Sequence, residues 1–296
     1  DGGCNYATSS TTDITACDSY TWNDSIYTQS GTYNYSGSSA VNNYSMSFDG
    51  ITGDNIDINH INGLNNQISI SGWMLFNDIS NQDCIIEKNS SNSGWYLRKE
   101  NDKLRWVANT VNGQMNNESS STIPIGSYVY ISATYDGINS KIYINGLECS
   151  GSGSTLSNPG GDIISNLNSI ALGIGRWGSQ SNGIYTSMLM DGNIGNISIW
   201  DVALSEQDIQ AYMTCPPTGS EAGLVGYWNF EEGSGTTVLD LSGNGNNGTI
   251  NGATYDANVP AQSCALTNAN GCDSTAILNL TINQADTSYT NITACD

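Results

Sequence analysis

Short segments in which apolar or β-branched residues alternate with smaller or polar ones recur along the chain. They include Gln67-Ile68-Ser69-Ile70-Ser71, the run Tyr128 to Tyr135 (YVYISATY), Lys141-Ile142-Tyr143-Ile144 and Asn196-Ile197-Ser198-Ile199-Trp200. A period of two puts one set of side chains on each face of a strand, and the residue types favour strands. Between them stand Asp136-Gly137, Asn145-Gly146 and Asp191-Gly192, the chemistry of tight hairpins. One stretch reads differently: Ser205 to Met213, with Ser205 placed to cap and Asp208 three residues on, ahead of Ile209, Tyr212 and Met213. That spacing predicts a single short helix on an all-β sandwich of antiparallel sheets.

A second pattern lies above the strands. Thr290 to Asp296 read TNITACD and Thr12 to Asp18 read TDITACD, so one repeat starts near the beginning and another near the end, as in a tandem array. Between the copies a stretch of different character, about 41 to 264, is expected to be a module inserted into the repeat.

Composition narrows the picture. The 296 residues are 38% hydrophobic and carry a net charge of −21. Phosphate backbones would be repelled, which argues against nucleic acid, and no apolar run reaches the roughly 18 residues that span a bilayer, which argues against membrane insertion. Excess carboxylate suits hard cations such as Ca²⁺, or simply keeps an acidic secreted protein soluble. Eight cysteines without a Cys-x-x-Cys, beside one histidine (His60), make zinc a poor reading. Disulfides in an oxidising compartment are the better one.

The ordered strings SMSFDG (45 to 50), ISISGWMLF (68 to 76), IIEK then GWYLRK, LRWVAN, YVYISATYDG, KIYING, ALGIGRW and MDGNIGNISIWDVALSEQDI closely resemble laminin-G-like domains of the concanavalin A-like lectin/glucanase superfamily, from about Ser45 to Met213. The resemblance implies a jelly-roll of two antiparallel sheets. GLVGYWNFEEGSGTTVLDLSGNGNNGTINGATY (223 to 255) resembles the segment that usually opens such domains, yet here it follows the last strand. It is read as a circular permutation; a truncated second jelly-roll is the alternative. The flanks, Ala16 to Gly37 and Leu266 to Asn283, resemble two halves of a small β repeat of large secreted surface proteins of Bacteroidetes. The expected domains are 1–40 and 265–286 as halves of the host repeat, 41–264 as the jelly-roll with 223–264 as its trailing strand segment, and 287–296 as the start of the next repeat. Cys215–Cys264 would bracket the trailing segment and Cys17–Cys272 would close the host repeat. Cys84–Cys149 follows by elimination, leaving Cys4 and Cys295 for neighbouring repeats.

Several groups are candidates for chemistry. Laminarinase-type relatives carry Glu-x-Asp-x-x-Glu on one strand. No such spacing exists here: Glu231 and Glu232 are adjacent and so on opposite faces, and Glu87 and Glu100 lack an acidic partner two residues on. A glycosidase is therefore disfavoured. The resemblance implies a rim Ca²⁺ at Asp49, Asp54 and Asp191, with Asp240 as a possible addition, although Gly195-Asn196 stand where the family has Asp-Glu; turn formation by the same residues is the alternative. Trp177 and Tyr185, beside Arg176, and Trp95 offer aromatic faces for a sugar, unless they fill the core. Asp24-Ser25-Ile26 and Asp273-Ser274-Thr275 resemble a Bacteroidetes O-glycosylation acceptor at Ser25 and Ser274. The reading is a non-catalytic, lectin-like segment of a large secreted repeat protein, binding glycan or a surface protein and neighbouring copies of itself. A stalk or filament without ligand is the alternative.

Overall fold

In the computed structural model the described residues are 8–283, apart from 24, 36, 39–41, 52, 59–60, 62–63, 65, 80–81, 91–92, 165–171, 178–186 and 266–273. The chain divides into two compact units, one of Ala40–Gln262 and one of Asp1–Ser39 with Ser263–Asp296.

The larger unit is a sandwich of two antiparallel sheets. One has nine strands, in the order Leu156–Ser157, Gly113–Glu118, Lys103–Thr110, Ser93–Glu100, Gln82–Ser90, Leu172–Ile174, Asn55–Ile58, Gly248–Asn251 and Thr237–Val238. The other runs Leu147–Glu148, Ser140–Ile144, Val129–Tyr135, Ile68–Phe76, Asp191–Trp200, Ser45–Asp49 and Thr254–Asp256. In this second sheet Leu224–Trp228 also pairs with Asp191–Trp200, at Ile197 to Trp200, while Ser45–Asp49 pairs with the same strand at Asp191 to Ile194. The long strand thus holds two short ones along one edge. The division falls at an irregularity between Ile194 and Asn196, where a side chain on Gly195 would strike Pro260.

The trailing segment is not a separate module. Leu224–Trp228 and Thr254–Asp256 belong to one sheet, Thr237–Val238 and Gly248–Asn251 to the other, and Trp228, Phe230, Val238 and Ile250 lie in the common core. That core is filled from both inner faces by residues including Phe48, Phe76, Trp95 and Trp106, the two tryptophans meeting at 6.0 Å with tilted rings. A second apolar layer covers the outer face of the second sheet. There the helix Glu206–Thr214, capped reciprocally by Ser205 and Asp208, lays Ile209 against Tyr130, Trp200 and Tyr227.

In the smaller unit Ser274–Asn283 is the central strand, pairing in parallel with Thr8–Cys17 and antiparallel with Gly31–Tyr35. Leu278, Leu280 and Ile282 pack there against Ile14, Tyr20, Trp22 and Tyr33.

The cysteine pattern departs from expectation. Cys215 and Cys264 are both disulfide-bonded, but Cys84 and Cys149 are free thiols. Cys84 faces Arg98 across the nine-stranded sheet, whereas Cys149 follows the edge strand of the other sheet and packs in the core. Different layers hold them apart, so the Cys84–Cys149 bridge is corrected. Cys17 is likewise free and exposed, against the Cys17–Cys272 bridge; Cys4, Cys272 and Cys295 lie outside the described residues.

Candidate functional site

The acidic rim forms where two strand ends meet. Asp49 closes Ser45–Asp49 directly opposite Asp191, which opens Asp191–Trp200. Gly50, at φ +68°, lets the backbone turn over Asp191; a side chain there would meet the Asp191 Cβ at 2.8 Å. Much of the carboxylate oxygen is already engaged. Asp49 Oδ1 accepts from the Ile51 amide at 2.8 Å, Asp54 Oδ2 from the Asp49 amide at 3.3 Å, and Asp191 Oδ1 from Asn77 Nδ2 at 2.7 Å. Asp240 does not join them. Its carboxylate accepts three backbone amides, from Tyr227, Ser242 and Asn246, at 2.9–3.0 Å, and so folds its own turn. No group of three or more His, Cys, Asp or Glu among the described residues is arranged to hold a metal ion. The rim thus offers oxygen donors of the type calcium takes, but the expected set of Asp49, Asp54, Asp191 and Asp240 is not assembled around one point and is corrected.

Below the rim a buried ion pair joins strand starts and ends. Lys99 Nζ lies 3.0 Å from Asp83 Oδ2, both side chains fully buried, and donates to the Asp78 carbonyl at 2.8 Å. Burial, only partly offset by Lys99, pushes the Asp83 carboxyl up to about 6.

The nine-stranded sheet carries a second constellation on the face away from the core. Alternation along Ser93–Glu100 sends Trp95 and Leu97 into the core and Tyr96, Arg98 and Glu100 to the other side. Register then sets Asp57, Gly173, Glu87 and Tyr96 in one row across four strands. The missing side chain of Gly173 leaves the place that the Arg176 guanidinium fills. Arg176 is buried and bridges Asp57 Oδ1 at 2.8 Å and Glu87 Oε1 at 2.7 Å, so it braces the sheet and is no free ligand donor.

One position along the strands, Arg98 and Arg105 stand directly opposite each other and share one carboxylate. Glu100 Oε2 accepts from Arg98 Nη2 and from Arg105 Nη1, each at 2.9 Å. Burial alone would raise the Glu100 pKa, but the hydrogen bonds from Arg105 and Arg98 outweigh it and hold the carboxyl below its usual range. The Arg98 guanidinium lies 5.0 Å from the Tyr96 ring centroid and 5.7 Å from that of Trp177, and the two rings meet edge to face at 4.5 Å. Sequence reading missed Tyr96 and Arg98, though GWYLRKE alternates plainly; which of its faces is outward was set only by packing.

Of the other candidates, Trp95 is a core residue, 2% exposed, which corrects its ligand role, and Tyr185 lies outside the described residues. Ser25 is exposed and Ser274 half-buried, each opening a strand. Glu231 accepts from the Asn43 and Tyr44 amides, and Glu232 from that of Leu239.

A jelly-roll of two antiparallel sheets with a polar, aromatic-rimmed face defines a lectin-like class of domain. Residues 48–210, more than half of the chain, match the Laminin_G_3 family of the concanavalin A-like lectin/glucanases superfamily, and the chain belongs to that family. No curated protein matches the chain. Among solved structures it is similar to a proposed carbohydrate-binding protein of Bacteroides ovatus (TM-score 0.57, 18% identity, 75% of this chain and 61% of that one). It is also similar to a heptameric SAP-like pentraxin of Limulus polyphemus (TM-score 0.53, 15% identity, 77% of this chain and 100% of that one). The chain thus spans about three-fifths of the Bacteroides ovatus structure, and at these identities the likeness is one of fold.

Proposed function

We propose that the jelly-roll is a non-catalytic glycan-binding module of a secreted protein. The observation that carries this is the Tyr96–Trp177–Arg98 group, in which aromatic surface and hydrogen-bond donors sit side by side on one sheet face, the pairing a sugar ring needs. The carboxylates of Asp57, Glu87 and Glu100 on that face are committed to arginines and those at 231–232 to backbone amides, which supports binding over hydrolysis. The Bacteroides ovatus neighbour's description agrees with it. A glycan array probed with the full chain, with and without calcium, tests it; absence of any specific glycan overturns it.

The setting we propose is a large repeat protein of the cell surface or an extracellular fibre, with the jelly-roll inserted in a small β repeat and Ser25 and Ser274 as sugar acceptors. The register of Thr8–Cys17 with Ser274–Asn283 supports one unit made from both ends of the chain. The disulfide state of Cys215 and Cys264 agrees with an oxidising compartment. Calcium enters only as a weak rim ligand of Asp49 and Asp191, since two carboxylates supply a fraction of the 6–8 oxygens it takes. A ligand-free stalk is the second reading, favoured by the repeated TDITACD and TNITACD.

A further inference from the structure

All three arginines of a chain with net charge −21 stand on one face of one sheet. Two of them, Arg98 and Arg105, are direct cross-strand neighbours, an arrangement that costs stability because like charges oppose. One carboxylate, Glu100, lies between them, and Glu118 stands across from Arg105 on the next strand. Arg105 is otherwise provided for, since its Nε donates to Asn116 Oδ1 at 2.8 Å. Arg98 is not. Its side chain is 9% exposed, yet its Nε–H has no acceptor among the described residues, and Nη1 faces only the Met188 sulfur at 3.3 Å. A thioether is a weak acceptor, and a buried charged donor left without one is costly.

Met188 holds that place under backbone constraint. Its φ is +50°, a region that side-chain-bearing residues enter rarely, and its carbonyl is fixed by the Cys84 amide at 3.0 Å. The sulfur therefore stands where a strong acceptor would complete Arg98, on a flexible side chain that can swing aside. Beside it the half-buried Trp177 and the Tyr96 ring form the wall of the same spot.

Resting on the glycan-binding reading above, we infer that this spot takes the carboxylate of an acidic saccharide, a uronic-acid residue, with the carboxylate on Arg98 in place of the Met188 sulfur and the sugar ring against Trp177. A neutral sugar hydroxyl could satisfy the Nε–H but would leave the buried Arg98 guanidinium with only a share of the Glu100 carboxylate. A charge-assisted bond is also the stronger one.

The test is calorimetric titration of the full chain with an oligogalacturonate, its carboxyl-reduced neutral counterpart and a sulfated neutral oligosaccharide. The uronate is expected to bind at least tenfold tighter than either of the others. Arg98→Lys, which keeps the charge but loses the planar donors, should weaken uronate binding at least tenfold, and Trp177→Ala should do likewise without moving the melting temperature. Should Arg98→Lys fail to fold, Arg105→Gln, at a side chain 31% exposed, probes the same charge. Equal affinity for the reduced or the sulfated sugar, or undiminished uronate binding by these variants, overturns the inference while leaving a glycan module standing. If no saccharide binds at all, the broader reading falls with it.

Discussion

At the scale of single residues Trp95 and Trp177 have different fates, one in the core and the other half-buried on the sheet face. Trp95 is buried against Trp106, so Trp95→Ala should cost about 3–5 kcal/mol, read as loss of cooperative unfolding or a large drop in the denaturation midpoint. Trp177→Ala should leave that midpoint nearly unchanged. Asp83 gives a pH signature. Its folded pKa of about 6 lies above the ordinary carboxyl value of 3.8, so the unfolded chain releases its proton first as pH rises. The associated stability is present below about pH 4 and is lost as pH climbs through 6. Two units correspond to about 3 kcal/mol as an upper bound. Asp83→Asn should flatten the melting-temperature profile between pH 4 and 6; an unchanged slope would remove Asp83 from the account. What decides these roles is burial, and burial was not legible: an aromatic in a strand reads alike whether its face is inward or outward.

Among elements, the trailing hairpin Thr237–Val238/Gly248–Asn251 depends on the Asp240 turn. Replacing that carboxylate leaves three backbone amides without their acceptor, so Asp240→Ala should destabilise by about 2–3 kcal/mol, equally in EDTA and in calcium. A loss seen only when calcium is present would return Asp240 to the metal. At the rim the expectation is opposite. Millimolar calcium should raise the melting temperature of the wild type by a few degrees, since roughly 1 kcal/mol moves a domain of this size about 2–4 °C. Asp49→Asn should abolish the rise, and identical melting curves with and without calcium would dismiss the rim site. The strands themselves were legible, because alternation and Gly-Asn-Asp turns set them locally: Val129–Tyr135, Ser140–Ile144 and the capped helix all fall where YVYISATY, KIYI and Ser205-x-x-Asp208 put them. The arginine face was not, since its members come from Ser93–Glu100, Lys103–Thr110 and the residues after Leu172–Ile174, joined only by register.

For the whole molecule, thiol chemistry reports the division into layers and units. Cys17 is exposed while Cys84 and Cys149 are buried, and burial raises the Cys84 thiol well above its ordinary pKa. Alkylation followed by peptide mapping should label Cys17 in the native protein and Cys84 and Cys149 only after unfolding. Cys215 and Cys264 should need reduction first. Rapid native labelling of Cys149 would contradict the core described. Elimination failed for the cysteines because chain distance and module boundaries carry no information about which sheet a residue joins.

The parallel register of Thr8 with Ser274 through Cys17 with Asn283 also sets an order in time. Everything from Ala40 to Gln262 belongs to one compact unit and is made in a single run, so it can collapse while the chain is still growing. The opening strand has no such chance. It leaves the ribosome ahead of that unit, yet the strand it lies against is synthesised only after the whole of it, and at about 5–20 residues per second it waits on the order of 10–50 s. During that wait Thr8–Cys17 is an unpaired edge, the kind other chains add to. Its run of Ser and Thr with a single Asp is poor in the large apolar side chains that make such an edge sticky, a composition suited to a strand that must stay vacant until its partner arrives.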